Sequence, residues 1–240
     1  QILWLPINGV ITLPPSIGQL VTVLIVLVTI NAVNFIDGLD GLAAGIVAIA
    51  GAAFFTFAYL LAVVWGFSRA GAPSLMTAVL IGICLGFLPH NFHPARIFMG
   101  DSGSMFLGLL LASAAITLTG QVDPNAITAV KVGPTLLPLL LPFAVLAIPL
   151  ADLVLAIARR LRAGRSPFAP DKDHLHHRLL AAGNSHVRTA IIMYLWTATL
   201  AFPITISAFA PVWVALLTAA ALATITIVVT RSGKKDSVYV

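Results

Sequence analysis

Apolar runs long enough to cross a lipid bilayer follow one another along almost the whole chain, and they constrain the fold more than any motif does. Candidate spans lie at about 17–36, 42–66, 74–89, 104–120, 134–158, 189–209 and 211–230. A hydrocarbon core about 30 Å thick takes roughly 20 helical residues to cross. No water is present there to satisfy a backbone amide, so helices and closed barrels are the available solutions. These runs are continuously apolar and do not alternate, which predicts helices. Charged residues make up only 9% of the 240, against 60% hydrophobic, and the mean hydropathy is +1.05. A water-soluble domain carries about 25% charged residues. The expected fold class is an all-α polytopic integral membrane protein, with about seven transmembrane helices in one domain over residues 1–240.

The third and fourth runs are short and lean on polar neighbours. The fifth contains Pro134, Pro138, Pro142 and Pro149, so it is expected to kink, its freed carbonyls satisfied by packing or water. The single cysteine, Cys84, lies inside an apolar run, which excludes a disulfide framework or a thiolate metal site. The chain starts at Gln1 with no charged leader segment, and we expect it to be the C-terminal part of a longer one.

Cations set the orientation. Seven of the thirteen Lys and Arg residues fall between Arg159 and Arg188, and Arg231, Lys234 and Lys235 follow the last run. Threading seven spans puts Arg96 on that same side and leaves only Arg69 and Lys131 opposite. The excess predicts a cytoplasmic face there, in a plasma membrane, with 159–188 as a basic, histidine-bearing cytoplasmic loop. The net charge of +5 thus reflects topology and anionic lipid headgroups and not nucleic-acid binding. All six histidines and Asp37, Asp40, Asp101, Asp171, Asp173 and Asp236 fall on the same face. Asp152 lies inside the fifth span, where pairing with Arg159 gives it a structural role.

Three polar constellations sit on that face. In NAVNFIDGLDGLAAG, Asn31, Asn34, Asp37 and Asp40 recur every third residue, each step turning about 300° around a helix, so neighbours share adjoining faces. Two amides and two carboxylates exceed what capping a helix requires. In FHPARIFMGDSGSMFLG, His93-Pro94 and Gly100 mark a loop before the fourth span. Asp101 there either caps the helix or holds a Mg²⁺ that bridges it to a diphosphate. In SPFAPDKDHLHHRLLAAG, His174, His176, His177 and Arg178 gather on a short helix started by Pro170, Asp171 and Asp173 and stopped at Gly183. A zinc site competes with anion binding there, but it lacks cysteine, and adjacent histidines on a helix chelate one ion poorly.

Taken together and in this order, the three motifs resemble the polyprenyl-phosphate N-acetylhexosamine-1-phosphate transferase superfamily, glycosyltransferase family 4. The DKDHLHHRLL wording is similar to the branch that uses UDP-N-acetylglucosamine; the relative using UDP-MurNAc-pentapeptide has three consecutive histidines there. The resemblance implies a membrane-bound phosphotransferase that moves GlcNAc-1-phosphate from UDP-GlcNAc onto a polyprenyl phosphate, undecaprenyl or decaprenyl, in cell-envelope glycan synthesis. It implies Mg²⁺, with Mn²⁺ as a substitute, and a homodimer. By the same resemblance Asp101 binds the metal and Asn34 joins it. Gly38, Leu39 and Asp40, with Asn31 and Arg96 nearby, hold the nucleotide, and Phe98 stacks on the uracil. Asp37 is a further active-site carboxylate, while His174, His176, His177 and Arg178 meet the diphosphate or sugar. The family's Asp-Asp pair is missing from this sequence. A rival class, a polytopic transporter, predicts ionisable residues near the middle of the membrane and matching interrupted helices in two halves.

Overall fold

A computed structural model describes residues 2–5, 9–12, 14–64, 66, 70–120, 147–164, 166 and 175–232. Strands β1 (Ile2–Leu5) and β2 (Gly9–Thr12) form an antiparallel hairpin with Ile2 opposite Thr12 and Leu5 opposite Gly9. The hydropathy pattern gave no sign of this hairpin, because four-residue strands make no run of membrane length. The helices that follow are α1 (Pro15–Ile36), α2 (Leu42–Val64), α3 (Gly71–Asn91), α4 (Gly100–Gly120), α5 (Ala147–Arg162), α6 (Leu175–Ala181), α7 (His186–Ser207) and α8 (Val212–Ser232).

Six of these are long and apolar enough to span a membrane: α1, α2, α3, α4, α7 and α8. The expected fifth span, 134–158, begins outside the described residues. Its described part, α5, runs on past 158 and closes with Arg159, Arg160 and Arg162 in its last turn, where cations complement the helix dipole. The side chain of Asp152, and with it the expected pairing to Arg159, lies outside the described residues. The third and fourth spans are longer than the apolar runs alone indicated. His90 and Asn91 belong to α3, and Gly100 to Gly103 to α4, because terminal turns at a membrane boundary tolerate polar side chains.

Helix α2 is the centre of the bundle. Its apolar window is 56% buried, against 11% for α8, and it packs against α3, α7 and α4. Small residues make this possible. Ala43, Ala44, Ala48, Ala50 and Ala53 are buried along it, and close backbone approach replaces the water-driven burial that lipid cannot provide. Phe54, Phe57 and Leu61 then fill the core with Leu80 of α3 and Leu111 and Leu118 of α4. Helix α1 lies against α4 at a crossing set by Gly108: a Cβ there would stand 2.7 Å from the Ile30 Cα. Helix α8 packs on α7 at the periphery, its last turn tied down by Arg188, which donates to the Val229 carbonyl (2.8 Å) and the Ser232 hydroxyl (2.7 Å). The end of α1, the starts of α2, α4 and α7 and the end of α3 gather at one end of the bundle, where the polar residues are found.

Candidate active site

Helix α1 stops at Asp37, whose N–H reaches only to the Asn34 carbonyl, 3.1 Å away. The chain then turns through Gly38 to Gly41 into α2. Gly41 has φ of +75°, a left-handed conformation that glycine adopts without a steric cost. Opposite this turn, α3 ends at Asn91, a bent loop carries His93 to Met99, and α4 opens with Asp101 in its first turn. The unpaired N–H groups of that turn favour negative charge.

Asn34 joins the two sides. Its Nδ2 donates to Asp101 Oδ1 at 3.1 Å and to Ser104 Oγ at 3.0 Å. Ser104 is fully buried and its hydroxyl lies 3.2 Å from the carbonyls of both Gly100 and Asp101. Both hydrogens of the Asn34 amide are thereby committed to α4, which fixes the side chain and leaves its oxygen as the atom able to accept or ligate. Below this junction Asp37, Gly38, Leu39, Asp40, Asn91, Phe98, Met99, Gly100 and Asp101 line an open cleft of about 270 Å³. Phe98 stands 76% exposed at its wall. Phe98 and Met99 also border a second, apolar groove between α3 and α4, formed with Ile83, Cys84, Phe87 and Phe106.

The two turn carboxylates differ. Burial pushes the Asp37 carboxyl up to about 6, and the Asp101 charge adds to the rise. Asp40 is desolvated too, yet its carboxyl is held below the usual range. A 2.8 Å contact from His93 Nδ1 and a 3.1 Å bond from the Ala95 N–H outweigh that desolvation. The His93 ring in turn stacks on His186, the first residue of α7, with centroids 4.6 Å apart.

The remaining sequence-predicted residues divide. His176 of α6 is buried, with its Nε2 2.8 Å from where a Gly38 Cβ would stand, so the basic loop does reach the aspartate turn. Its ring lies 4.3 Å from that of the exposed His177, and Arg178 is exposed beside them. Asn31 is exposed and turns its amide back to the Leu27 carbonyl of its own helix. Arg96 is exposed and does not line the cleft, though its backbone N–H bonds the His90 carbonyl. His174 lies outside the described residues.

Among the described residues no group of three or more His, Cys, Asp or Glu side chains is placed to hold a metal ion. Apart from Asp40, which His93 and the Ala95 N–H engage, the donors here are oxygens: the mutually repelling Asp37 and Asp101 carboxylates and the Asn34 amide. Such a set fits Mg²⁺, which keeps several waters and takes one or two carboxylates alongside substrate phosphates. The sequence reading missed Ser104, Asn91 and His93 as partners in the site, and Tyr194 of α7, whose hydroxyl donates to the Gly41 carbonyl. Ser104 alone left a local signal, three residues beyond Asp101 on the same helix face.

Residues 2–119 match the family described as glycosyl transferase family 4. A decaprenyl-phosphate N-acetylglucosaminephosphotransferase of Mycobacterium tuberculosis is 58% identical over 130 residues, 54% of this chain and 32% of that protein. The Mycolicibacterium smegmatis protein of the same name is 55% identical over the same shares. The undecaprenyl-phosphate alpha-N-acetylglucosaminyl 1-phosphate transferase of Escherichia coli is 33% identical over 152 residues, 60% of this chain and 37% of that protein. The chain spans about a third of the length of the curated relatives it matches.

Proposed function

We propose that this chain, whose residues 2–119 match the family described as glycosyl transferase family 4, transfers GlcNAc-1-phosphate from UDP-GlcNAc to a polyprenyl phosphate. An oxygen of the lipid phosphate bonds to the β-phosphorus of the donor. The bond from that phosphorus to the bridging oxygen breaks, and UMP leaves. Phosphoryl transfer of this kind depends mainly on positioning and on stabilising charge. The observation that carries the reading is the Asn34–Asp101–Ser104 junction beside Asp37, which sets an oxygen donor set at the rim of a cleft large enough for a nucleotide.

Each residue has a task in this reading. Asp101 and the Asn34 oxygen would hold Mg²⁺, or Mn²⁺, which when bound neutralises diphosphate charge. Phe98 offers its exposed face to the uracil, while Gly38, Leu39 and Asp40 form the floor under the nucleoside. Asp37, with a carboxyl that gains and loses a proton near pH 6, can take a proton from the acceptor phosphate. His176 packs over Gly38 and brings His177 and Arg178 toward the side from which an anionic donor arrives. The apolar groove bordered by Phe98 and Met99 supports a lipid acceptor reaching the cleft from the bilayer. The cleft faces the cytoplasm in this reading, where the UDP-sugar is made.

The test is UMP release by the full gene product in nanodiscs, with Mg²⁺, polyprenyl phosphate and either UDP-GlcNAc or UDP-MurNAc-pentapeptide. Release with UDP-GlcNAc, abolished by EDTA and lowered at least about 10²–10³-fold by Asp101→Ala, is the expected result. Release with the pentapeptide donor alone keeps the reaction and reassigns the sugar. An Asp101→Ala protein with near-parental turnover overturns the site.

A further inference from the structure

Gly41 uses every hydrogen-bonding atom of its backbone on a different helix. Its N–H donates to the Oδ1 of Asn91, at the end of α3, over 3.0 Å. Its carbonyl accepts from the Gly45 N–H of α2 at 2.9 Å and from the Tyr194 hydroxyl of α7 at 2.5 Å. Asn91 is itself buried, and its Nδ2 donates onward to the Ile97 carbonyl at 2.9 Å. The residue after Asp40 is thus tied at once to the helix it starts, to the opposite wall of the cleft and to a helix 153 positions away.

The Tyr194 contact is built into the packing. A Cβ on Gly45 would lie 2.1 Å from the Tyr194 Cζ and 2.2 Å from its oxygen, so the ring occupies the space that only a glycine at 45 leaves. The Tyr194 hydroxyl is partly buried, and a polar group shielded from water costs free energy when it is left without a partner. Satisfied networks of this kind hold one geometry. The group held here is the peptide next to Asp40, in the turn that floors the nucleoside side of the cleft.

We propose that Tyr194 is a positioning residue for donor binding, acting through the Gly41 carbonyl to fix the Asp37–Gly41 turn against the Phe98–Asp101 wall. The proposal rests on the transferase reading above but is testable apart from it. In Tyr194→Phe only the hydroxyl is lost. Amide exchange of segment 37–45 then speeds up while that of α8 does not, since local opening follows the loss of local bonds. The KM for UDP-GlcNAc rises about three- to tenfold, the range one lost hydrogen bond supplies, and the KM for polyprenyl phosphate stays where it was. Thr197→Val is the control: it removes a buried hydroxyl from the same helix that bonds only its own Met193 carbonyl (2.9 Å). Unchanged exchange at 37–45, equal effects of the control, or both KM values rising together overturns the proposal. If the parent protein turns over no UDP-sugar, the transferase reading fails, and the exchange comparison still decides whether Tyr194 holds the turn.

Discussion

A buried or half-buried carboxylate beside another carboxylate is an expensive thing to keep, and Asp37 shows how the expense appears. Its carboxyl titrates near 6 in the metal-free protein instead of at the ordinary value of 3.8. The folded state therefore binds this proton more tightly than the unfolded chain. That contribution to stability is whole below about pH 4, declines as the pH rises, and is gone above about pH 6. Asp37→Asn removes the dependence. In thermal melts without divalent cations, the variant gains on the parent as the pH goes from 4.5 to 7.5; a constant gap between the two refutes the assignment. Asp40 behaves oppositely, since His93 and the Ala95 N–H favour its charged form. Sequence spacing found both aspartates. It could not separate them, because what differs is the partner each meets across the cleft, 50 or more positions along the chain. Asn91 and Tyr194 were hidden for the same reason: neither stands in a polar motif, and their shared partner, Gly41, lies far from both along the chain.

Helix pairs carry the site at the next scale up. Asn34 and Asp101 sit on α1 and α4, and the distance between those helices is set seven residues further along α4 by Gly108, which has Ile30 Cα and the Thr29 carbonyl in the space a side chain would take. Gly108→Leu is expected to push the helices apart and cost about 1–3 kcal/mol or more of stability, as overpacking does. Activity should fall further than the loss of folded protein explains, because Asn34 is drawn away from Asp101 and Ser104. The check is turnover per folded molecule, with folding read by size-exclusion and helical signal; parental turnover in the folded fraction contradicts it. The helices themselves were legible, since a run of apolar residues without water must satisfy its own backbone. Their ends were less so. Hydropathy counts α3 only to Pro89 and α4 only from Ser104, whereas hydrogen bonding continues into the polar turn, and those polar turns of α3 and α4 carry the cleft residues.

Seen whole, the molecule keeps its described acidic side chains, Asp37, Asp40 and Asp101, at one end of a six-span bundle. A transporter was expected to place ionisable groups at mid-depth, and those three do not lie there. The histidines at 93, 176, 177 and 186 join the same end, as the sorting of charges along the sequence anticipated. Which compartment that end faces is open to direct measurement. In a Cys84→Ser background, whose native thiol is buried in the bundle, an Arg96→Cys variant offers one exposed thiol beside the cleft. A membrane-impermeant maleimide is expected to label it in inverted vesicles and not in intact cells; the reverse pattern turns the protein over.

The doubly engaged amide of Asn34 bears also on how such a sequence can change. One base separates an asparagine codon from an aspartate codon, and the two side chains have nearly the same shape. Here the exchange would swap two donors for an acceptor facing the Asp101 carboxylate, so the smallest genetic step is among the least tolerable. Glutamine keeps the donors and moves them by a methylene. Replacement at 34 is then expected to travel with replacement at 101 or 104, leaving a record of paired variation between two helices that are 67 positions apart along the chain.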